Sequence, residues 1–190
     1  PYGDIQGVGP GAIITAVEGS AEVPVSQELL GRVIDALGNP IDGLPTPTLT
    51  DNVPLYRDPP NPVTRTRIHE SFDIGVRSIN AMLTVGEGQR VAIMAGSGVG
   101  KSTLAGVLAP PSQSDVNVIA LVGERGREVR ECVERDLGPE GLKRSVVVVA
   151  TGNQSALLRI RAAFLATSIA EYFRDLGKKV VLMVDSITRL

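Results

Sequence analysis

The sequence contains few of the residues that form disulfide frameworks, histidine metal centres or aromatic surfaces. Its 190 residues include no tryptophan, three phenylalanines and three tyrosines, and cysteine and histidine occur once each, as Cys132 and His69. A single cysteine excludes an internal disulfide bond, which fits a reducing cytosol. Cys132 is predicted to be a small core residue of an amphipathic helix. His69 lies in a proline-rich stretch without other candidate ligands, so no function is predicted for either residue.

Long hydrophobic runs and an excess of one charge are also missing. The longest apolar stretches, "SVVVVA" and "VVLMV", have the length of strands, whereas a membrane-spanning helix needs about 20 apolar residues. The net charge of -2 does not favour nucleic acid or an anionic membrane surface as the main partner. The composition is that of a globular α/β protein.

Turn-forming residues are concentrated in the first 80 positions, in "VGPG", "GNPIDGLPTPT" and "YRDPPNPVTR". Short β-leaning pieces such as "GAIITAV" lie between them. We therefore predict that residues 1–30 end a small β domain and that residues 31–80 connect it to a core formed by residues 81–190.

After Asn80, strand-like runs alternate with helix-like segments. The runs "QRVAIMA", "NVIALV", "SVVVVA" and "KKVVLMV" are continuously apolar, which is typical of strands buried on both faces. Their order predicts an α/β fold with a parallel sheet covered by helices. The long helix is predicted to end at Gly177 and to bury one side, formed by Leu157, Ile160, Phe164, Ile169 and Phe173.

The stretch "AGSGVGKST" lies between the strand-like "RVAIM" and the helix-like "LAGVLA". It matches the phosphate-loop pattern of Gly, four residues, Gly-Lys-Ser/Thr, except that Ala95 replaces the first glycine. The glycines allow backbone N–H groups to turn inward, and a helix beginning near Lys101 would direct its positive end at the same phosphates. A solvated glycine-rich turn is the alternative. The predicted phosphate-binding residues are Gly96, Ser97, Gly98, Val99, Gly100, Lys101, Ser102 and Thr103.

Two acidic residues follow strand-like runs, at the strand ends where open α/β sheets bind ligands. Asp185 ends "KKVVLMVD" and is predicted to hold Mg²⁺ with Ser102, rather than to serve as a turn residue. Glu124 ends "NVIALVGE", and the residues alone leave two interpretations open. It is either a base that orients water for attack on the γ-phosphate of ATP, where Lys101 neutralises charge, or part of a solvated charge cluster that opens a helix.

Five stretches together resemble the ATPases of type III protein export: "AGSGVGKST", "LVGERGREVRE", "ATSIAEYFRDLGKKVVLMVDSITR", "PYGDIQGVGPG" and "LLGRVIDALGNPIDG". These flagellar or injectisome ATPases are related to the catalytic β subunit of rotary ATP synthases. The resemblance implies a RecA-like P-loop core preceded by the end of an N-terminal β-barrel. It also implies that Glu124 is the water-orienting base, that Asp185 is the magnesium-site residue, and that Arg125 and Arg189 line the phosphate pocket.

The same resemblance implies an Mg-ATP-hydrolysing homohexamer that drives protein export. Its implied partners are export substrates and chaperones, stalk or regulator subunits and the membrane export gate, without nucleic acid. The implied location is the cytoplasm, peripheral to the inner membrane.

The resemblance further implies a fragment, without the start of the barrel and without a C-terminal helical domain. An arginine finger supplied by a neighbouring subunit would lie beyond Leu190, so we expect the isolated chain to be inactive or very slow. The strand ending at Asp185 is expected near the centre of the sheet.

Three alternative functions have nearly the same loop. The first is the catalytic subunit of a rotary proton-translocating ATP synthase, but the stretch "AEYFRDLGKKVVLMVDSITR" is more similar in sequence to export ATPases. The second is a hexameric RNA motor, which needs aromatic or basic contact surfaces that this chain hardly supplies. The third is a nucleotide-binding subunit without catalysis, against which Glu124 argues. Flagellar and virulence export both stay open.

Overall fold

The computed structural model describes residues 2, 7–15, 21–96, 99–108 and 113–190. In the helix that begins at Lys101, it describes the side chains of Lys101, Thr103, Leu104 and Leu108 only. The strands in these ranges are β1 (Glu22–Val25), β2 (Arg32–Asp35), β3 (Asp51–Pro54), β4 (Val116–Val122), β5 (Ser145–Ala150) and β6 (Val180–Asp185). The helices are α1 (Arg77–Met82), α2 (Lys101–Leu108), α3 (Gly126–Glu131), α4 (Gly138–Lys143) and α5 (Ala156–Asp175). A π-helical segment, Cys132–Leu137, joins α3 to α4.

Four strands form one parallel sheet in the order β2-β5-β4-β6, and β1 and β3 form a separate antiparallel pair. In β4, Val118 lies opposite Val146 of β5 on one side and Leu182 of β6 on the other. Parallel neighbours need long crossover connections, which α3, α4 and α5 provide here. The predicted α/β class, a parallel sheet flanked by helices, is confirmed.

The two central strands are buried on both faces. Val118 and Val146 belong to the hydrophobic cluster that includes the buried face of α5. Their chain neighbours Ile119 and Val147 belong to a second cluster on the opposite face, with Leu137 of the π-helical segment. Side chains alternate between the faces of a strand, so burial on both sides requires the continuous apolarity seen in these runs.

The long helix α5 begins and ends at recognisable signals. The hydroxyl of Ser155 accepts a hydrogen bond from the amide of Leu158 at 3.3 Å and caps the first turn. Gly177 follows the last turn with φ +78°, a left-handed conformation that favours glycine. The predicted stop at this glycine is confirmed. Within the described ranges, no helix combines the length and apolarity needed to cross a membrane.

The predicted buried side of α5 is wrong for part of its residues. Ile169 and Phe173 are buried, but Leu157, Ile160 and Phe164 are 52%, 40% and 42% exposed. The face against the sheet carries smaller residues as well, namely Leu158, Ala162, Leu165 and Ala166. Alanines let the helix approach the sheet closely, so the largest apolar side chains alone do not mark the packed face.

Residues 89–95, the run "QRVAIMA", are predicted to form a strand but lie outside both sheets. Val91 and Met94 are 61% and 90% exposed. An apolar run indicates a preference for burial, but a strand also needs the hydrogen-bonding edge of a neighbour. The prediction of a strand before the loop is therefore wrong.

Strand β6 is the outermost strand of the four-stranded sheet. Its central position is expected for the sheet of the complete protein and stays a prediction. Its outer edge has no strand partner among the described residues. Its side chains are consequently less buried than those of β4, and Leu182 is 38% exposed.

The sheet also includes a strand from the predicted connector. Residues 32–35 form β2, which pairs in parallel with β5 so that Val33 lies opposite Val147. The division into parts at residues 30 and 80 stays a prediction.

A buried ion pair anchors the turn that follows β2. Nε and Nη2 of Arg32 donate to the two carboxylate oxygens of Asp42 at 2.7 and 2.9 Å. The amides of Val33 and Leu44 donate to the same carboxylate at 3.1 and 3.0 Å. The hydrogen bond from Arg32, followed by those from the two amides, lowers the pKa of Asp42 to about 2. This carboxylate therefore stays charged over the whole range in which proteins are normally folded.

We predict that Asp42→Asn lowers the free energy of unfolding by about 3 kcal/mol, because it leaves the Arg32 guanidinium buried without a counter-charge. Urea unfolding at pH 7 measures the difference. The pKa of Asp42 is lower in the folded chain, so its stabilisation is present above about pH 4 and is lost as the pH falls towards 2. The gap between wild type and variant should shrink over that range. The exposed Asp58 provides the control, Asp58→Asn, and equal effects of the two substitutions would contradict the prediction.

Candidate functional site

Three strand ends meet at one edge of the parallel sheet. The carboxyl ends of β4, β5 and β6 lie side by side because the strands are parallel and paired in register. The amide of Gly123, just after β4, donates to the carbonyl of Ala150 at 2.6 Å. The amide of Gly152, after β5, donates to the carbonyl of Glu124 at 3.1 Å. The loops that follow the strands are thus joined by their backbones.

An ion pair connects the predicted phosphate loop to this edge. Nζ of Lys101, the first residue of α2, contacts Oδ1 of Asp185, the last residue of β6. Their side chains are 30% and 14% exposed. Gly100 precedes the lysine with φ +93° and accepts at its carbonyl a hydrogen bond from the amide of Leu104, which starts the helix. Glycine is required here because other residues rarely adopt that conformation.

Glu124 is a buried carboxyl group beside an arginine. It is 5% exposed, and its Oε2 lies 2.9 Å from Nη1 of Arg189. Burial is the main reason why the pKa of Glu124 is raised to about 7, followed by a hydrogen bond with Glu128 and the negative charge of Asp185, whereas Arg189 lowers it. The same hydrogen bond lowers the pKa of Glu128. Below about pH 7, Glu124 therefore carries the proton of the hydrogen bond and Glu128 is the carboxylate.

Arg189 packs directly against the backbone of Gly123. Its Nη1 donates to the carbonyl of Gly123 at 2.7 Å. A Cβ atom at position 123 would lie 2.7 Å from Cβ of Arg189, and the glycine has φ +74°. Both the close approach and the left-handed backbone require glycine. The carbonyl of Arg189 in turn accepts a hydrogen bond from Nη1 of Arg159 on α5 at 2.9 Å.

A shallow cavity of about 380 Å³ opens beside Glu124. It is lined by Glu124, Arg125, Gly126, Thr151, Gly152 and Asn153. Lys101 and Asp185 are not among these residues, so the cavity covers the part of the site near Glu124 and not the Lys101–Asp185 ion pair.

The structure brings four predicted site residues to the same sheet edge: Lys101, Asp185, Glu124 and Arg189. Arg125 lies at the cavity with an exposed side chain. In the loop, Gly96, Val99 and Thr103 are exposed. Ser97, Gly98 and the side chain of Ser102 lie outside the described residues.

Sequence reasoning missed two residues that act on this cluster. Glu128 lies four positions after Glu124 at the start of α3, and this spacing in "GERGREVRE" was a usable signal. Arg159 lies thirty positions before Arg189, and no local pattern connects the two. Its role depends on how α5 crosses the sheet.

The chain is similar to known nucleotide-binding proteins. The model of the ATP synthase alpha/beta family, nucleotide-binding domain, matches residues 75–190. The flagellum-specific ATP synthase of Bacillus subtilis (strain 168) is 56% identical over 190 residues, which are 100% of this chain and 43% of that protein. The type 3 secretion system ATPase of Xanthomonas euvesicatoria is 48% identical over 189 residues, with 100% and 43% covered.

Solved structures agree with these relatives. The assembled ATPase EscN from the type III secretion system of enteropathogenic E. coli superimposes with a TM-score of 0.92 at 45% identity, covering 100% of this chain and 46% of that one. A prototypical ATPase from the type III secretion system of pathogenic bacteria gives 0.85 at 49% identity, covering 90% and 49%. The chain spans 43% of the length of the two curated relatives above. Because the family model matches more than half of its residues, the chain belongs to the ATP synthase alpha/beta family.

Proposed function

We propose that the protein carrying this chain hydrolyses Mg-ATP and uses the energy to drive protein export through a type III apparatus, flagellar or injectisome. The observation that carries the proposal is the meeting of Lys101, Asp185 and the buried Glu124 at one sheet edge. The similarity to flagellum-specific ATP synthases and type 3 secretion ATPases supports the export role. The catalytic subunit of a rotary ATP synthase is not favoured, because these relatives are named flagellum-specific and type 3 secretion proteins.

Lys101 and the backbone of the loop from Gly96 to Thr103 are proposed to bind the phosphates of ATP. An ammonium at the first residue of α2 adds its charge to the positive end of the helix. In the described chain this ammonium is paired with Asp185. The side chain is therefore already aimed at the strand edge where the phosphates would lie.

The residues present fit a magnesium ion. Asp185 offers a carboxylate that already attracts a cation, namely the ammonium of Lys101. In the described ranges, no group of three or more His, Cys, Asp or Glu residues suited to a metal occurs, and Mg²⁺ usually takes few protein oxygens beside water and phosphate. Asp185 and the Ser102 hydroxyl would hold the ion, which neutralises charge on the phosphates when bound.

Glu124 is proposed to accept the proton of the attacking water. Its pKa of about 7 is close to the operating pH, where a general base combines a useful deprotonated fraction with sufficient basicity. The cavity beside it gives water access to the carboxyl group. Arg189, 2.9 Å away, stabilises the charged form and, with Arg125, is proposed to line the phosphate pocket.

A multisubunit assembly follows from the same proposal. Two similar structures are described as the assembled ATPase EscN and as EscN in complex with its central stalk EscO. We infer a homohexamer with a stalk or regulator subunit, and an arginine finger supplied by the neighbouring subunit. Export substrates, chaperones and the membrane export gate are its proposed further partners, without nucleic acid. The proposed location is the cytoplasm, peripheral at the inner membrane.

We predict that Lys101→Ala weakens ATP binding by at least about a hundredfold, or about 2.7 kcal/mol, since it removes the cation that faces the phosphates. Titration with a fluorescent ATP analogue measures the affinity. Lys143→Ala is the matched control, because that lysine is 70% exposed and, in the described part of the chain, forms an ion pair with Glu140 on α4 alone. Unchanged affinity of the Lys101 variant would sink the phosphate-loop assignment.

In the complete protein that carries this chain, Glu124→Gln is expected to keep Mg-ATP binding and to lose about 10² to 10⁴-fold in turnover, since the amide preserves shape but cannot accept a proton. Steady-state hydrolysis and the same binding titration separate the two effects. Glu140→Gln, at an 85% exposed position, should leave both unchanged. A loss of less than about tenfold would require another base. Returned to its native cell, the Glu124 variant should also fail to secrete.

The rate should depend on pH through Glu124. Its raised pKa of about 7 means that the inactive protonated form persists up to neutral pH. We therefore expect kcat/KM to fall about tenfold for each pH unit below about 7. In Arg189→Ala, this acid limb should move to higher pH, because the positive charge that favours the carboxylate is gone. A limb below about pH 5 in the wild type would contradict the assignment.

A further inference from the structure

Arg159 connects the long helix α5 to the segment that carries Arg189. It lies in the first turns of the helix, and its Nη1 donates to the backbone carbonyl of Arg189 at 2.9 Å. Its Nε is buried and has no hydrogen-bond partner within the described part of the chain. Arg159 is half-buried, and only part of the donor capacity of its guanidinium is used among the described residues.

Among the described residues, the segment after β6 makes few contacts with the rest of the fold. Residues Ile187–Arg189 form a single 3-10 turn, and Ile187 is 71% exposed. Inside this turn, the amide of Arg189 donates to the carbonyl of Ser186 at 3.1 Å. The link back to the sheet is a longer hydrogen bond, 3.3 Å, from the amide of Ser186 to the carbonyl of Val122. Ile187 adds little packing, so the position of the turn depends on the contact of Arg189 with Gly123 and on polar contacts.

Polar contacts hold both the side chain and the backbone of Arg189. Its guanidinium contacts Glu124 and the carbonyl of Gly123. Its own carbonyl is held by Arg159. The contact with Arg159 limits the position of the Arg189 backbone. The contacts of the Arg189 guanidinium determine the position of its charge. The guanidinium of Arg189 lies 2.9 Å from the carboxyl group of Glu124. A shift of the Arg189 backbone would lengthen this distance and weaken the stabilisation of the Glu124 carboxylate.

We propose that Arg159 is a positioning residue, which acts through the backbone of Arg189 to hold that guanidinium against Glu124 during ATP hydrolysis. The inference rests on the proposed function. Arg159 itself is assigned no contact with nucleotide. Its removal is expected to affect the chemical step, because a displaced Arg189 no longer stabilises the charged base.

The test uses the complete natural protein that carries this sequence. Arg159→Met keeps the aliphatic stem and removes every donor, and Arg159→Lys restores one. We expect Arg159→Met to lower kcat about tenfold while KM for ATP stays within about twofold, and Arg159→Lys to regain most of the rate. Arg174→Ala on the same helix is the control, since that side chain is 58% exposed and pairs with neighbouring carboxylates of α5.

A double-mutant cycle identifies the residue through which Arg159 acts. In an Arg189→Ala background, Arg159→Met should lower kcat by less than about twofold, since the group that it positions is already missing. The same loss in both backgrounds, a change confined to KM, or an unchanged kcat in a folded single variant would each overturn the inference. If Arg159→Met does not fold, as judged by circular dichroism, Arg159→Gln takes its place in the same cycle and is judged by the same three outcomes.

Failure of the inference and failure of the proposed function give different results. If the wild type does not hydrolyse ATP, or if Glu124→Gln hydrolyses it normally, the proposed function is wrong and the inference is overturned with it. If the wild type is active, Glu124→Gln is inactive and Arg159→Met is unchanged, the inference on Arg159 alone is overturned.

Discussion

The candidate site depends on the parallel pairing of β4 with β5 on one side and with β6 on the other. Parallel strands end at the same edge, so the loop after each strand starts within a few ångströms of the next. The burial of β4 and β5 on both faces fixes their register, because a shift by one residue would exchange the side chains that face the two cores. The position of Glu124 relative to Asp185 is therefore determined by apolar packing several residues away.

Charge compensation at this edge is the second constraint. Glu124 and Asp185 are largely buried carboxyl groups, and Arg189 and Lys101 each contact one of them. Burial and the hydrogen bond with Glu128 raise the pKa of Glu124, and the guanidinium of Arg189 opposes them. The two effects leave Glu124 with a pKa near 7. A carboxyl group tuned in this way differs from an exposed glutamate in a charge cluster, which was the alternative interpretation of "GERGREVRE".

The sequence predicted the strands and helix ends that local patterns control. It did not predict the contacts that depend on pairing between distant segments. Continuous apolarity identified β4, β5 and β6, and Gly177 marked the end of α5. The same pattern in "QRVAIMA" predicted a strand that does not form. An apolar run does not specify which neighbouring strand has unpaired backbone groups with which it could form hydrogen bonds. The contact between Arg159 and Arg189 was not predicted for a related reason. It depends on the path of α5 across the sheet, and neither segment carries a sequence pattern that indicates it. Only resemblance to a family singled out Arg189.

The ion pair between Lys101 and Asp185 competes with a nucleotide for both of its charged groups. A nucleotide that engages the lysine with its phosphates, and the aspartate through its metal ion, must first separate these two groups. Breaking the ion pair therefore offsets part of the attraction between the nucleotide and the site. The affinity for nucleotide is lower than that of a site in which the two charged groups do not contact each other. The same exchange runs in reverse when products leave, because the re-formed pair neutralises both charges at once. Weaker capture and faster release would then come from one contact, which suits the proposed hydrolysis cycle, in which the site is emptied after every turnover.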